Sequence, residues 1–284
     1  MKVSVVMTVH NGEEWIGGTL NALLDQRGVE FEVVVVDDGS SDSTCSILQK
    51  VRDARVMVIQ CGRLGRARCL NLAIARSAGE YIAINDVDDY SMPGRLEIQS
   101  SFLDNHPEYA LVCSNSCVRA GSGPAHSEPR EVREPGAFRD LGIRELYRSN
   151  IITHSTVMVR RASLMQAGGY DEALTMCIDY EFYLRLVQRR GRIAMLSGEL
   201  LIRIHNQKSF FARKKITEYI TTLLRIKREY LGRSVPVWYF GYDVLFILKL
   251  LAKKCGLQRW RPVSGLPSRR MESNHNWPGR RKAS

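Results

Sequence analysis

The sequence predicts an α/β protein: a mostly parallel sheet with flanking helices, followed by a C-terminal helical extension. Three observations carry this expectation. Short unbroken runs rich in Val and Ile recur at residues 3–7, 31–36, 56–59 and 81–84, and strands that are apolar on both faces belong to parallel sheets covered by helices. Helical patterns lie between the runs, giving a strand–helix–strand rhythm over roughly the first 120 residues. Three of the runs give way to polar clusters, TVHNG, DDGS and NDVDD, and open α/β sheets bind ligands beyond the carboxyl ends of their strands.

The elements follow in order. VSVVM (3–7) is a strand, and Asn11 three residues before Glu14 makes a capping-box-like start for a helix carrying Trp15, Leu20, Leu23 and Leu24. FEVVVV (31–36) ends abruptly in DDGSSDST, which opens a helix to about Arg52; VMVI (56–59) is a strand and GRARCLNLAIARSA (65–78) a helix. EYIAI then leads into the acidic segment, and Pro93 starts the next helix at its first position. Residues 119–140, rich in Gly, Pro and charge, read as a loop or flap. A strand STVMVR (155–160), a turn at Gly168 and Gly169, a helix over 179–190 and a strand near 199–205 follow. Two helical segments, about 210–231 and 236–255, precede a tail of disorder-prone composition.

Composition narrows the class. The 284 residues are 44% hydrophobic and 25% charged, enough for a sizeable core. Seven scattered cysteines (45, 61, 69, 113, 117, 177 and 255) fit free thiols in a reducing compartment. Cys113 and Cys117 with His106 and His126 match no zinc spacing. The N-terminal apolar stretch is too short for a signal peptide, so cytoplasmic residence is expected. From Lys208 onward 18 Lys and Arg face 4 Asp and Glu, a net +14 that leaves −3 for residues 1–207. Without a nucleic-acid motif, this basic end does not indicate nucleic acid.

The acidic clusters carry the chemistry. Asp37 and Asp38 at the end of a strand can accept hydrogen bonds from a ribose or a base, or form an Asx turn with Ser40 and Ser41. Asp86, Asp88 and Asp89 crowd into four positions, and like charges so close raise one another's pKa unless a cation compensates. Hard cations such as Mg²⁺ and Mn²⁺ take one or two carboxylates together with substrate phosphates. On an extended segment Asp86 and Asp88 would point to one side, so that both reach one bound nucleotide diphosphate; the alternative is a solvated acidic turn.

SVVMTVHNGEEWIGGTLNALLDQ, EVVVVDDGSSDST, GRARCLNLAIARSAGEYIAINDVDD and GGYDEALTMCIDYEFYLRL together resemble glycosyltransferase family 2, the inverting nucleotide-sugar transferases of the Rossmann-like GT-A fold, over roughly residues 1–207. The resemblance implies a nucleoside pocket lined by Thr8, His10 and Asp38, with His10 where the family often carries an aromatic. It places Gly65, Arg68 and Asn71 on the nucleotide side, Asp86 on the ribose or the metal, and Asp88 on Mn²⁺ or Mg²⁺ bridging two phosphates in the manner of a DXD motif. His205 would complete the metal shell or contact phosphate, and His154 or Thr156 would border the acceptor. Asp179 matches the general base, with Ile178 replacing the usual preceding acid; read without the family, Asp179 is a helix N-cap. Arg185 either anchors structure or touches phosphate.

The expected activity is metal-dependent, inverting transfer of a sugar, from a UDP-sugar, to an acceptor hydroxyl on a saccharide or lipid-linked saccharide in cell-surface polysaccharide or glycolipid synthesis. The alternatives are a polyprenyl-phosphate glycosyltransferase and an inactive nucleotide-binding scaffold of the same fold. The expected domains are a catalytic region 1–207, with a nucleotide-sugar half 1–118 and an acceptor half 119–207, a helical extension 208–260 and a basic tail 261–284. The stretch 235–260, with Trp238, Tyr239 and Trp260 beside lysines, falls short of a spanning helix. It reads either as an interfacial helix on an anionic membrane, making the protein peripheral on the inner face of the plasma membrane, or as a helix packed on the catalytic region.

Overall fold

The computed structural model describes residues 1–120, 137–205 and 216–231. The chain divides into two compact units, Met1–Arg213 and Lys214–Ser284.

In the first unit, β1 (Val3–Val9), β2 (Phe31–Asp38), β3 (Val56–Cys61) and β4 (Tyr81–Ile84) lie parallel in the order β3-β2-β1-β4. Val5, Val6, Val33, Val34, Ile82 and Ile84 are fully buried, each worth about 1.5–3 kcal/mol relative to exposure. The connecting helices are α1 (Ile16–Leu24), α2 (Thr44–Leu48) and α3 (Arg66–Arg76). This half matches the expected α/β pattern.

Beyond β4 the sheet becomes mixed. It continues through β8 (Met158–Arg160), β6 (Tyr109–Ala120), β9 (Arg192–His205) and β5 (Asp89–Ser91), with β7 (Phe138–Leu141) also on β9. β6 and β9 are parallel to each other, whereas β4–β8, β6–β8, β5–β9 and β7–β9 are antiparallel. Helices α4 (Arg95–Asn105), α5 (Ile143–Arg148), α6 (Arg161–Ala167) and α7 (Ile178–Gln188) are also described in this unit. In the second unit α8 (Ile216–Leu231) is described. Among the described residues no helix is long and apolar enough to cross a membrane. The expected helix 236–255, the tail and most of the 119–140 loop fall outside the described residues.

Several local expectations are corrected. Asn11 caps no helix: it adopts a left-handed φ of 54° and its Oδ1 accepts from the Ser41 amide, while α1 begins only at Ile16. Pro93 lies in a turn before α4, whose N-cap is Gly94 in the left-handed region. The strand expected over 155–160 shortens to β8, because His154–Thr156 form a 3₁₀ turn. β9 starts at Arg192, well before residue 199. The helix expected to run to Arg52 ends at Leu48.

A buried guanidinium ties the two halves of the sheet together. Arg95, fully buried, donates to Asn85 Oδ1 (3.0 Å), Ser91 Oγ (2.8 Å), Gln99 Oε1 (3.0 Å) and the carbonyls of Ile84 (2.9 Å) and Val157 (3.3 Å). Desolvation pushes its pKa down to about 9, opposed by the fields of Asp89 and Asp86. The Ile84 contact fixes the end of β4, from which the acidic segment departs.

Candidate active site

The residues expected to line a nucleoside pocket stand at the tips of β1 and β2. Thr8 lies opposite Val36 in the parallel register, and the exposed His10 donates from Nδ1 to the Asp38 carbonyl at 3.0 Å, so Nδ1 carries a hydrogen. The two neighbouring carboxylates divide their work. Asp37 makes the Asx turn, accepting from the Ser40 amide (3.0 Å) and hydroxyl (2.5 Å). Asp38, buried, instead reaches across to the loop before α3, where Oδ1 accepts from the amides of Leu64 (2.6 Å) and Gly65 (3.1 Å) and Oδ2 pairs with Arg63 (2.8 Å). Gly65 sits at φ 91°, a conformation glycine adopts readily.

The acidic segment is a turn, not the extended run expected. The Asp89 amide donates to the Asp86 carbonyl at 3.2 Å, and Asn85 Nδ2 holds the carbonyls of Asp86 (2.8 Å) and Asp89 (2.9 Å). Its three carboxylates meet different surroundings. Asp86 takes Arg66 Nη2 at 2.5 Å. Burial raises its pKa, but Arg66 outweighs that and holds it below the ordinary value. Asp88 receives no hydrogen bond from another residue among those described, and burial and the nearby Asp86 push its pKa up. Asp89, buried beside Ser155, is pushed up to about 7, first by desolvation and then by Asp86.

Arg66 extends the site toward the second half of the sheet. Its Nη2 also donates to His154 Nδ1 at 3.0 Å. An arginine only donates, so Nδ1 is the acceptor and the proton sits on Nε2, which is 2.8 Å from the Tyr170 hydroxyl. Desolvation, followed by the Arg66 charge, lowers the His154 pKa to about 4, so the ring is neutral near pH 7. Asn71 clasps the Gly168–Gly169 turn, accepting from the Tyr170 amide (2.9 Å) and donating to its carbonyl (2.9 Å). A Cβ on Gly169 would lie 2.8 Å from Asn71 Oδ1.

Asp179 is in the first turn of α7, whose N-cap is Cys177 at a left-handed φ of 56°. Asp179 is therefore not the N-cap; its Oδ2 accepts from Asn150 Nδ2 at 2.8 Å. The helix N-terminus favours a carboxylate there, and Arg66 feels the charges of both Asp86 and Asp179. Arg185 resolves as an anchor, bonded to Glu181 and to the carbonyls of Ala167 and Gly169.

The donor set suits a hard divalent cation. Asp88 offers a half-buried carboxylate with an unmet need for positive charge, and Asp86 a second oxygen donor now shared with Arg66. His205 is the last residue of β9, and its side chain lies outside the described part. Arg68, expected on the nucleotide side, pairs with Glu172 at 3.5 Å. Sequence reasoning passed over Arg66, Asn150 and Tyr170. The first stands in the same GRAR stretch as Arg68 and Tyr170 directly follows the Gly168–Gly169 turn; Asn150 carries no local signal.

Residues 4–168 match the profile of glycosyl transferase family 2. A Bacillus subtilis protein provisionally named as a glycosyltransferase, EpsE, is 27% identical over 260 residues, covering 89% of this chain and 88% of its own. The poly(ribitol-phosphate) beta-N-acetylglucosaminyltransferase TarS of Staphylococcus aureus is 29% identical over 206 residues, 70% of this chain but 35% of TarS. The crystal structure of TarS residues 1–349 with UDP-GlcNAc superimposes with a TM-score of 0.67 at 24% identity, covering 91% of this chain and 74% of that one. Sheet, helices and profile agree: the chain belongs to glycosyl transferase family 2 and is a glycosyltransferase of the GT-A fold.

Proposed function

We propose that this glycosyltransferase moves a sugar, with inversion, from a UDP-sugar to an acceptor hydroxyl with help from Mn²⁺ or Mg²⁺, in the synthesis of a cell-surface polysaccharide or glycolipid. The observation that carries this reading is the position of Arg66, which contacts Asp86 on the donor side and lies in the field of Asp179 on the other. One cation thus links a diphosphate-side cluster to a candidate base. The TarS structure solved with UDP-GlcNAc supports a nucleotide-sugar donor.

Thr8, His10, Asp38 and Gly65 bind the nucleoside end. Asp88, with Asp86 and His205, would hold the divalent ion, which when bound supplies Lewis-acid stabilisation of the departing diphosphate. Arg66 adds positive charge beside it. Asp179 takes the proton of the acceptor hydroxyl as that oxygen attacks the anomeric carbon from the face opposite the leaving group. Asn150 aims the Asp179 carboxylate, and the neutral His154 with Tyr170 borders the acceptor without adding charge. The working assignment of regions is 1–118 to the donor, 119–207 to the acceptor and 208–260 to a helical extension that docks the enzyme on an anionic membrane surface, with 261–284 a basic tail.

The test is a donor panel assayed for nucleoside diphosphate release with Mn²⁺ present. Release from a UDP-sugar that depends on acceptor and stops in Asp179→Asn is expected. Full activity of that variant on a hydroxyl acceptor would overturn the base assignment, and activity confined to a polyprenyl phosphate acceptor would favour transfer to phosphate. A truncation at residue 234 that still sediments with acidic liposomes would remove the membrane role of the extension.

A further inference from the structure

On the sheet side of Asp38, away from the acidic turn, lies a second donor cluster. Cys61 closes β3 and Cys69 stands on the inner face of α3, fully buried; their sulfurs are 3.9 Å apart. Cys69 hydrogen-bonds the Asp38 carboxylate, and Cys61 donates to the Asp37 carbonyl at 3.2 Å. One ligand atom from each of Asp38, Cys61 and Cys69 falls within 4.8 Å of the other two, the one such group of three among the described residues.

We propose that Asp38, Cys61 and Cys69 form a site for a thiophilic divalent cation such as Zn²⁺, separate from the hard-ion donors of the acidic turn. The geometry of the sulfurs leads to this. Tetrahedral Zn²⁺ with Zn–S bonds of about 2.3 Å sets two thiolates about 3.8 Å apart, while a disulfide needs about 2.05 Å. The two thiols, hydrogen-bonded at 3.9 Å, already stand close to the separation that a metal tetrahedron requires. The carboxylate is already oriented, because the Leu64 and Gly65 amides fix Oδ1, as outer-shell bonds do for metal-ligating carboxylates. The half-buried Cys61 and the exposed Arg63 leave a path from solvent.

Binding replaces the proton on each thiol by a metal–sulfur bond, releases both protons to water and draws Asp38 from Arg63. With three protein ligands, the fourth position of the tetrahedron is left to water. No electron is transferred. Occupation of the site stands without any donor assignment; competition between Zn²⁺ and a UDP-sugar rests on Asp38 lining the nucleoside pocket.

Stoichiometric Co²⁺ added to the reduced full-length chain reads the site directly. Thiolate-to-cobalt charge-transfer absorption is expected, lost in Cys61→Ser and in Cys69→Ala, retained in Cys117→Ser, and removed by an equivalent of Zn²⁺. Oxygen-only coordination at Asp88 gives no such band. Because Cys69 is buried and its variant could unfold, Cys61→Ser is the deciding substitution, with folding checked by circular dichroism. Absence of the band in the wild-type chain, or its persistence in folded Cys61→Ser, would overturn the proposal. If the band forms while UDP binding is unaffected by Zn²⁺, the metal site stands and the placement of Asp38 in the nucleoside pocket fails.

Discussion

Asn150 Nδ2 donates to Asp179 Oδ2 at 2.8 Å, joining the segment before the 3₁₀ turn to the first turn of α7. One oxygen of Asp179 is thereby held in place. An amide at 179 cannot accept the acceptor proton, so Asp179→Asn is expected to slow transfer by about 10²–10⁴-fold with donor affinity unchanged. Asn150→Ala leaves the carboxylate but frees its rotamer, and is expected to lower kcat by about ten- to a hundredfold with little change in donor KM. Steady-state kinetics of both variants checks the split.

Arg66 is the charge partner of Asp86. Without it, the acidic turn keeps its three carboxylates and loses its nearest cation. Arg66→Ala is expected to cost about 1 kcal/mol of stability, a modest figure because Arg66 is 42% and Asp86 27% exposed. Added Mn²⁺ is expected to recover part of the loss. Chemical denaturation with and without Mn²⁺ measures both effects.

Asp89 gives the acidic turn a pH signature. Its folded pKa, about 7, lies above the ordinary aspartate value of 3.8, so between these values the folded chain keeps a proton that the unfolded chain releases. Stability therefore falls as pH rises through that window. Asp89→Asn removes this dependence, and in chelator it is expected to be more stable than wild type by up to a few kcal/mol at pH 8, at about 1.4 kcal/mol per pKa unit, with the difference vanishing near pH 4. Thermal melts at both pH values test the sign.

Arg95 is the interior contact that fixes the exit of β4. Replacing it with Met takes the Arg95 donor from Gln99 Oε1 and the Ile84 carbonyl, while Asn85 Oδ1 keeps the Ser91 hydroxyl and the Val157 carbonyl keeps the Ile84 amide; an unmet buried polar group costs about 1–3 kcal/mol. Arg95→Met is expected to destabilise the fold by about 2–4 kcal/mol, read as a shifted denaturation midpoint.

The parallel half of the fold was legible because Val33–Val36 and Ile82–Ile84 are buried on both faces and so are apolar without alternation. The mixed half was harder to read. β6 pairs with β9 across some 80 residues, and such a register leaves no local mark. The sequence alone presents Asp86–Asp89 as extended, because the shape of the turn depends on Asn85 and on Arg95, an arginine supplied by the next helix. Arg66 and Arg68 stand about 200° apart around a helix, so choosing between them requires the phase of α3. That phase is set by its buried face of Ala67, Leu70, Ala73 and Ile74 and by Gly65 at its start. Asn150 and Asp179 are 29 positions apart, and only the folded chain brings them together.

Titration calorimetry of a UDP-sugar in Mn²⁺ and in excess chelator tests the donor site most directly, with Asp88→Asn alongside. The account predicts binding at least about tenfold weaker in chelator, a difference of about 1.4 kcal/mol, and no response to Mn²⁺ in the variant. Equal affinity in chelator, or an Asp88→Asn chain that still responds to Mn²⁺, would contradict it.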